Sequence, residues 1–206
     1  MKLLKGCHNL LNEVVKNDFY KVRVFRRRVP ETFVDIGANV GMFSIMVRFL
    51  FPNSRIIAIE PDPNNYAALV DNCSGLEIET VNVAIADGKP VQMIGSRSTC
   101  KRVESSDIGI PSIIFSDLVK MVKSPLSKTY LKFDCEGGEK YFLSDPVNVS
   151  KLWEFQAVGA ELHPAWLTQI QWDSWSALLK QEASKFGSID IKLVKKNAVL
   201  IYFRRK

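Results

Sequence analysis

The chain has 206 residues, 47% hydrophobic and 24% charged, which is enough apolar material for one α/β core and too little for two ordinary domains. No segment sustains about 18 apolar residues, and Lys5, His8, Asn9, Asn12 and Glu13 interrupt the N-terminal apolar run, so neither a membrane span nor a secretory leader is expected and a cytoplasmic setting is the default. The net charge of +6 leaves an anionic partner open, while Cys7, Cys73, Cys100 and Cys135 are too dispersed for a zinc knuckle or a disulfide framework.

In chain order, residues 1–30 read as a helical and basic extension, and residues 31–206 as the core of a single domain. The basic runs "RVFRRR" and, at the other end, "FRRK" read as solvated faces, because no aromatic-interleaved motif of an RNA-binding module accompanies them. "FVDI" is a short buried strand carrying Asp35, and the helix that starts at Met42 is stopped by Pro52 and Asn53. Between them lies "GANVG". Gly37 and Gly41 remove side chains where the backbone must turn or another group must approach, and the helix aims free N–H groups at that space, so the turn reads as a ligand cradle.

A second strand, Arg55 to Ile59, ends at Glu60 and is followed by a helix through Asn72; Leu76 to Ala86 reads as a third strand. Residues 87–112 are the most loop-like part of the chain, either a lid over a substrate or an insertion with a short β-pair around Val91 to Ile94. "TYLKFDCEGGE" supplies a fourth strand ending at Asp134, with Glu136 and Glu139 just beyond, and "FQAVGAELHP" a fifth ending in Glu161 and His163. A helix with Trp175, Leu178, Leu179, Ala183 and Phe186 on one face is expected to stop at Gly187. "SIDIKLV" then alternates as an edge strand does, whereas "AVLIYF" is continuously apolar as a strand covered on both faces is, and the short connection between them makes a hairpin. A repeating βα sheet closed by such a hairpin, its last strand inside and its penultimate strand on the edge, differs from the usual dinucleotide fold.

Five motifs in register, "VDIGANVG", "IAIEPDPNNYAALVDN", "VNVAIAD", "LKFDCEGGE" and "GAELH", resemble the FkbM family of S-adenosylmethionine-dependent methyltransferases over roughly residues 33–163. The resemblance implies an α/β, Rossmann-like class I methyltransferase fold, with a mostly parallel seven-stranded sheet and a C-terminal antiparallel hairpin. It also implies methyl transfer to oxygen on a small molecule or glycan. Cys135 and Gly138 depart from the family's usual branched apolar residue and alanine, but the acids Asp134, Glu136 and Glu139 stand where expected.

The residue chemistry agrees. S-adenosylmethionine needs a backbone cradle for its amino-acid end, an acceptor for its ammonium and a carboxylate for both ribose hydroxyls. Gly37, Ala38, Asn39 and Gly41 suit the first, Asp35 the second, and Glu60, about 20 residues downstream, the third, with Pro61, Asp62 and Ala84 expected beside them. Asp35 and Glu60 could instead merely cap helices. A nicotinamide dinucleotide fits less well, because the glycines are spaced Gly37-x-x-x-Gly41 and not as GxGxxG.

At the carboxyl ends of the fourth and fifth strands, Asp134, Glu161 and His163 are expected to converge on the reacting methyl, and Glu136 follows the fourth strand, where a methyl acceptor would sit. A hydroxyl acceptor needs a base, for which His163 is the first choice, or a divalent metal on Asp134, Glu161 and His163, the less favoured route. Glu139 reads as a first-turn helix acid, and Glu136 as either a chemical group or a loop carboxylate holding backbone N–H groups. Nucleic acid as acceptor and a non-catalytic binding subunit remain the competing readings.

Overall fold

A computed structural model describes residues 11–25, 27–95, 102–163, 173, 177, 186–195 and 198–205. Its frame is one seven-stranded sheet: β1 (Thr32–Ile36), β2 (Arg55–Ile59), β3 (Glu79–Val81), β4 (Thr129–Phe133), β5 (Ala157–Leu162), β6 (Phe186–Lys195) and β7 (Ala198–Arg205), in the spatial order β6-β7-β5-β4-β1-β2-β3. β1 lies between β2 and β4, all parallel, and the order reverses at β1. β7 runs antiparallel to both β5 and β6 and is inserted between them, leaving β6 on the edge. The difference in patterning between the last two strands has this physical origin: Val199 to Phe203 are all buried, whereas Asp190 of β6 faces solvent.

The sheet is covered on both faces because strand side chains alternate. Val34 and Ile36 of β1 point into a core shared with α3 (Phe115–Val122) and α5 (Pro146–Leu152), while Phe33 points to the opposite layer, against α1 (Met42–Leu50). α2 (Pro63–Cys73) packs Leu69 and Cys73 on Ala58 of β2 and begins with Asp62, whose carboxylate accepts from the N–H groups of Asn64 and Asn65. Part of the N-terminal extension belongs to the α1 layer: Tyr20, Val22 and Phe25 are buried, the Tyr20 ring meets Phe43 edge-on at 5.6 Å, and Tyr130 donates to the Tyr20 carbonyl.

Two sequence expectations need correction. The third strand does not run unbroken to Ala86. Glu79–Val81 joins the main sheet, and Ala84–Ile85 leaves it to pair with Ser112–Ile113, because Asn82 turns away to donate to the carbonyls of Glu60 and Pro61. Gly187 does not end a helix. It lies inside β6 at a shift of register, where Phe186 pairs with Arg205 and Ser188 with Arg204, a place suited to a residue without a side chain. In the 87–112 segment the structure bears out the short β-pair expected around Val91 to Ile94, which pairs antiparallel with Arg102–Ser105. The expected helix bearing Trp175, Leu178, Leu179 and Ala183 lies outside the described residues, apart from Asp173 and Ala177.

Candidate active site

A cleft open to solvent, with about 910 Å³ of empty space counted together with its open mouth, lies over the carboxyl ends of β1, β2 and β4, beside the point where strand order reverses. Gly37, Ala38, Asn39, Glu60, Pro61, Ala84, Asp134 and Glu136 line it. Glu60 is buried at its wall, where its carboxylate accepts from the backbone N–H of Asn39 at 2.8 Å and of Asp62 at 3.0 Å. Burial pushes its pKa up to about 7, a rise these N–H groups only partly oppose. Apolar Ile59, Pro61, Val83 and Ile85 flank it.

Asp35, Gly41 and Asp62 do not line the cleft. Asp35 is fully buried beneath it, accepting from Ser44 Oγ at 2.7 Å and paired with Lys132 Nζ at 3.0 Å, so its charge is already met inside the fold. Gly41 is the N-cap of α1 at φ 91°, where a Cβ would meet Leu69 of α2 at 2.8 Å. Asp62 caps α2. Gly37, at φ 73°, is needed for a close approach, although not to a ligand: a Cβ there would fall 1.8 Å from the carbonyl oxygen of Asp134.

At the far end of the cleft, Glu136 is presented from a left-handed residue at φ 48°, between Asp134 and the first turn of α4 (Glu139–Leu143). His163 leaves β5 immediately behind it, nearly buried, with Nδ1 3.0 Å from Glu139 Oε1. Its Nε2 lies 3.4 Å from Glu136 Oε2, 3.9 Å from Glu161 Oε1 and 4.0 Å from Asp134 Oδ1. Asp134, Glu161 and His163 thus come together, joined by Glu136, but of these four only Asp134 and Glu136 reach the cleft lining. The compact triad is Asp134, Glu136 and His163, so Glu136 takes the place expected of Glu161.

Electrostatics changes the reading of His163. Burial acts to lower its pKa, but the hydrogen bond and charge of Glu139, together with Asp134 and Glu136, outweigh burial and push it up to about 10. Burial pushes Glu136 up to about 8; His163 opposes that rise, and Asp134, Glu139 and Glu161 add to it. At neutral pH these interactions hold the ring as an imidazolium, which has no lone pair with which to act as a base.

Sequence reasoning missed Lys132, Tyr20 and the full part played by Glu139. Lys132 stands opposite Asp35 in the β1–β4 register, buried, and donates to the carbonyls of Ile36 and Gly37. Its signal is a lone lysine inside the otherwise apolar "TYLKF". Tyr20 donates to Asp134 Oδ2 at 3.2 Å from a segment with no motif to mark it. Glu139 is the first-turn acid expected, accepting from the Gly137 N–H at 2.7 Å, but it also fixes the His163 ring. Met93 and Val103 of the short β-pair, with Met42 and Phe43, complete the apolar wall.

Strand order, the inserted antiparallel β7 and a cleft at the carboxyl ends of β1, β2 and β4 define a class I methyltransferase fold. The chain belongs to the FkbM methyltransferase family: the family's sequence model, described as a methyltransferase FkbM domain, matches residues 35–196. Among solved structures it is similar to a human methyltransferase 10 domain containing protein (TM-score 0.53, 11% identity, covering 92% of this chain and 80% of that one). It is also similar to a precorrin-6y C5,15-methyltransferase from Geobacter metallireducens GS-15 (TM-score 0.51, 15% identity, covering 94% and 88%). A methyltransferase from Geobacter sulfurreducens aligns with TM-score 0.50 at 15% identity, covering 92% and 77%. At such identities the likeness establishes the fold. No curated protein matches the chain in sequence.

Proposed function

We propose that the protein transfers a methyl group from S-adenosylmethionine to a hydroxyl of a small molecule or sugar. The observation that carries this reading is the placement of Glu60: a buried carboxylate at the end of β2, walled by apolar residues, facing the Gly37–Asn39 turn and in one cleft with Asp134 and Glu136. The donor set fits the nucleoside, since Glu60 can accept from two ribose hydroxyls, Pro61, Val83 and Ile85 offer apolar surface for a base, and the glycine turn leaves room for the amino-acid end.

Bound there, S-adenosylmethionine supplies a methyl group already activated as a sulfonium. What remains for the protein is to align the acceptor and dispose of its proton, because a sugar or aliphatic hydroxyl does not ionise at neutral pH. Asp134 and Glu136 are the groups able to touch the acceptor, and the hydroxyl proton passes into the carboxylate cluster they form with Glu161. His163, as an imidazolium, keeps that cluster from repelling itself apart. Tyr20 and Lys132 orient Asp134 and the turn beneath it.

Calorimetric titration with S-adenosylhomocysteine, followed by mass spectrometry of hydroxyl acceptors, tests donor and acceptor together. Glu60→Ala is expected to weaken S-adenosylhomocysteine by at least about 1.5 kcal/mol, the loss of hydrogen bonds to a charged group. Unchanged affinity in a folded variant refutes the site.

A further inference from the structure

We propose that Asp134, Glu136 and His163 bind one hard divalent cation, of the Mg²⁺ or Mn²⁺ class, at the inner end of the cleft, and that this ion holds the acceptor oxygen. The ion's role rests on the methyltransferase reading; its binding does not.

One donor atom from each residue lies within 4.8 Å of the other two, and His163 Nε2 approaches Glu136 to 3.4 Å and Asp134 to 4.0 Å. An octahedral ion with bonds of about 2.1 Å separates adjacent donors by about 3 Å and opposite ones by about 4 Å, so small side-chain rotations suffice to close the set. Two features distinguish this group from a surface cluster of acids. Asp134 Oδ1 is buried and has no hydrogen-bond partner among the described residues, which is unfavourable unless a cation meets it. The His163 side chain is only 10% exposed, and it is locked through Nδ1 onto Glu139, itself fully buried and held by the Gly137 N–H. That lock turns Nε2 toward Asp134 and Glu136, the arrangement in which a metal-ligating histidine donates its other ring N–H to a carboxylate, and the ion takes the place of the Nε2 proton that the ring carries in its absence, freeing that nitrogen's lone pair to ligate.

Four carboxylates surround this one imidazole, Asp134, Glu136, Glu139 and Glu161, an excess of negative charge that a dication compensates. Two oxygens and one nitrogen suit Mg²⁺ or Mn²⁺, whereas structural zinc sites are typically built from cysteine and histidine. Asp134 and Glu136 also line the cleft, so the ion's open positions face the acceptor. A hydroxyl bound there has its pKa lowered and releases its proton to water in the open cleft. The oxygen then forms its bond to the methyl carbon as the carbon–sulfur bond breaks, the electron pair remaining on sulfur.

The test is a titration of Mn²⁺ into the full-length protein without donor or acceptor, free Mn²⁺ being read by electron paramagnetic resonance. One ion per chain is expected, bound more tightly than about 1 mM and displaced by Mg²⁺. Glu136→Gln, whose side chain is 27% exposed, and Asp134→Asn should each weaken binding at least about tenfold, and Glu139→Gln, which touches no ion, by about 10–100-fold. Thermal melts confirm that the variants fold. A wild-type protein that binds no Mn²⁺, or a Glu136→Gln variant with unchanged Mn²⁺ affinity, overturns the site. S-adenosylhomocysteine binding is measured separately. If it survives where Mn²⁺ fails, the ion falls and the methyltransferase reading stands; if it fails where Mn²⁺ binds, the donor site falls and the ion site stands.

Discussion

In the donor site proposed above, affinity turns on the chemistry of Glu60. Its carboxyl titrates near pH 7 because burial opposes the charge more than the Asn39 and Asp62 N–H groups favour it. In the unliganded protein its pKa lies above the ordinary value of 4.5. The folded state therefore holds this proton longer than the unfolded state does, and its contribution to stability declines as pH rises from 4.5 through about 7. Donor binding has the opposite slope, because only the ionised form accepts from both ribose hydroxyls. S-adenosylhomocysteine affinity should therefore rise about tenfold between pH 6 and pH 8, as the ionised fraction approaches one. Glu136 titrates nearby, so the diagnostic is a comparison: Glu60→Gln should lose most of that dependence, read by calorimetry at both pH values. Equal slopes in wild type and variant would assign the pH dependence elsewhere.

At the level of elements, the pairing of β1 with β4 is what builds the cleft. The register sets Asp35 against Lys132, and the strand ends then bring Gly37 so close to Asp134 that no side chain fits between them. Removing one buried partner strands the other, so Lys132→Met should destabilise the fold by about 3–5 kcal/mol, while Lys132→Met with Asp35→Asn should recover much of it in a double-mutant cycle. Additive losses in urea melts would mean that the two charges are not coupled. Much of this was legible in the sequence: the strand endings, the inserted apolar β7 and the Glu60 position follow from periodicity and from carboxylates at strand ends. What escaped depends on contacts between distant segments. "GANVG" shows that two glycines are required, but not that one serves the Asp134 carbonyl and the other the α1–α2 contact. "EGGE" marks Glu139 as a helix-start acid without revealing that His163, 24 residues on, would seat against it. Tyr20 reaches Asp134 across 114 residues, with no local pattern to announce it.

Across the whole molecule, net charge and site charge have opposite signs. The chain carries +6, yet among the described residues the charged ones lining the cleft are Glu60, Asp134 and Glu136 with a single base, Lys132, already paired to Asp35. Several surface cations are neutralised too, as in Lys128–Glu31, Arg55–Glu79 and Lys151–Glu154, while Arg23, Arg27 and Arg28 remain exposed on the surface. An acidic cleft under a basic exterior attracts a sulfonium donor, a neutral polyol or a divalent ion, and repels a phosphodiester backbone from the point of reaction. RNA should accordingly bind only through the outer arginines: dissociation constants in the non-specific range of roughly 10⁻⁴–10⁻⁶ M, a steep loss with added salt, and no competition with S-adenosylhomocysteine. Filter binding across a salt series gives the first two, and donor titration with RNA present gives the third. Transfer of radiolabelled methyl groups from the donor to RNA should stay at background while hydroxyl acceptors are labelled. Labelling of RNA that survives high salt would reverse the assignment and make the basic face the acceptor-binding surface.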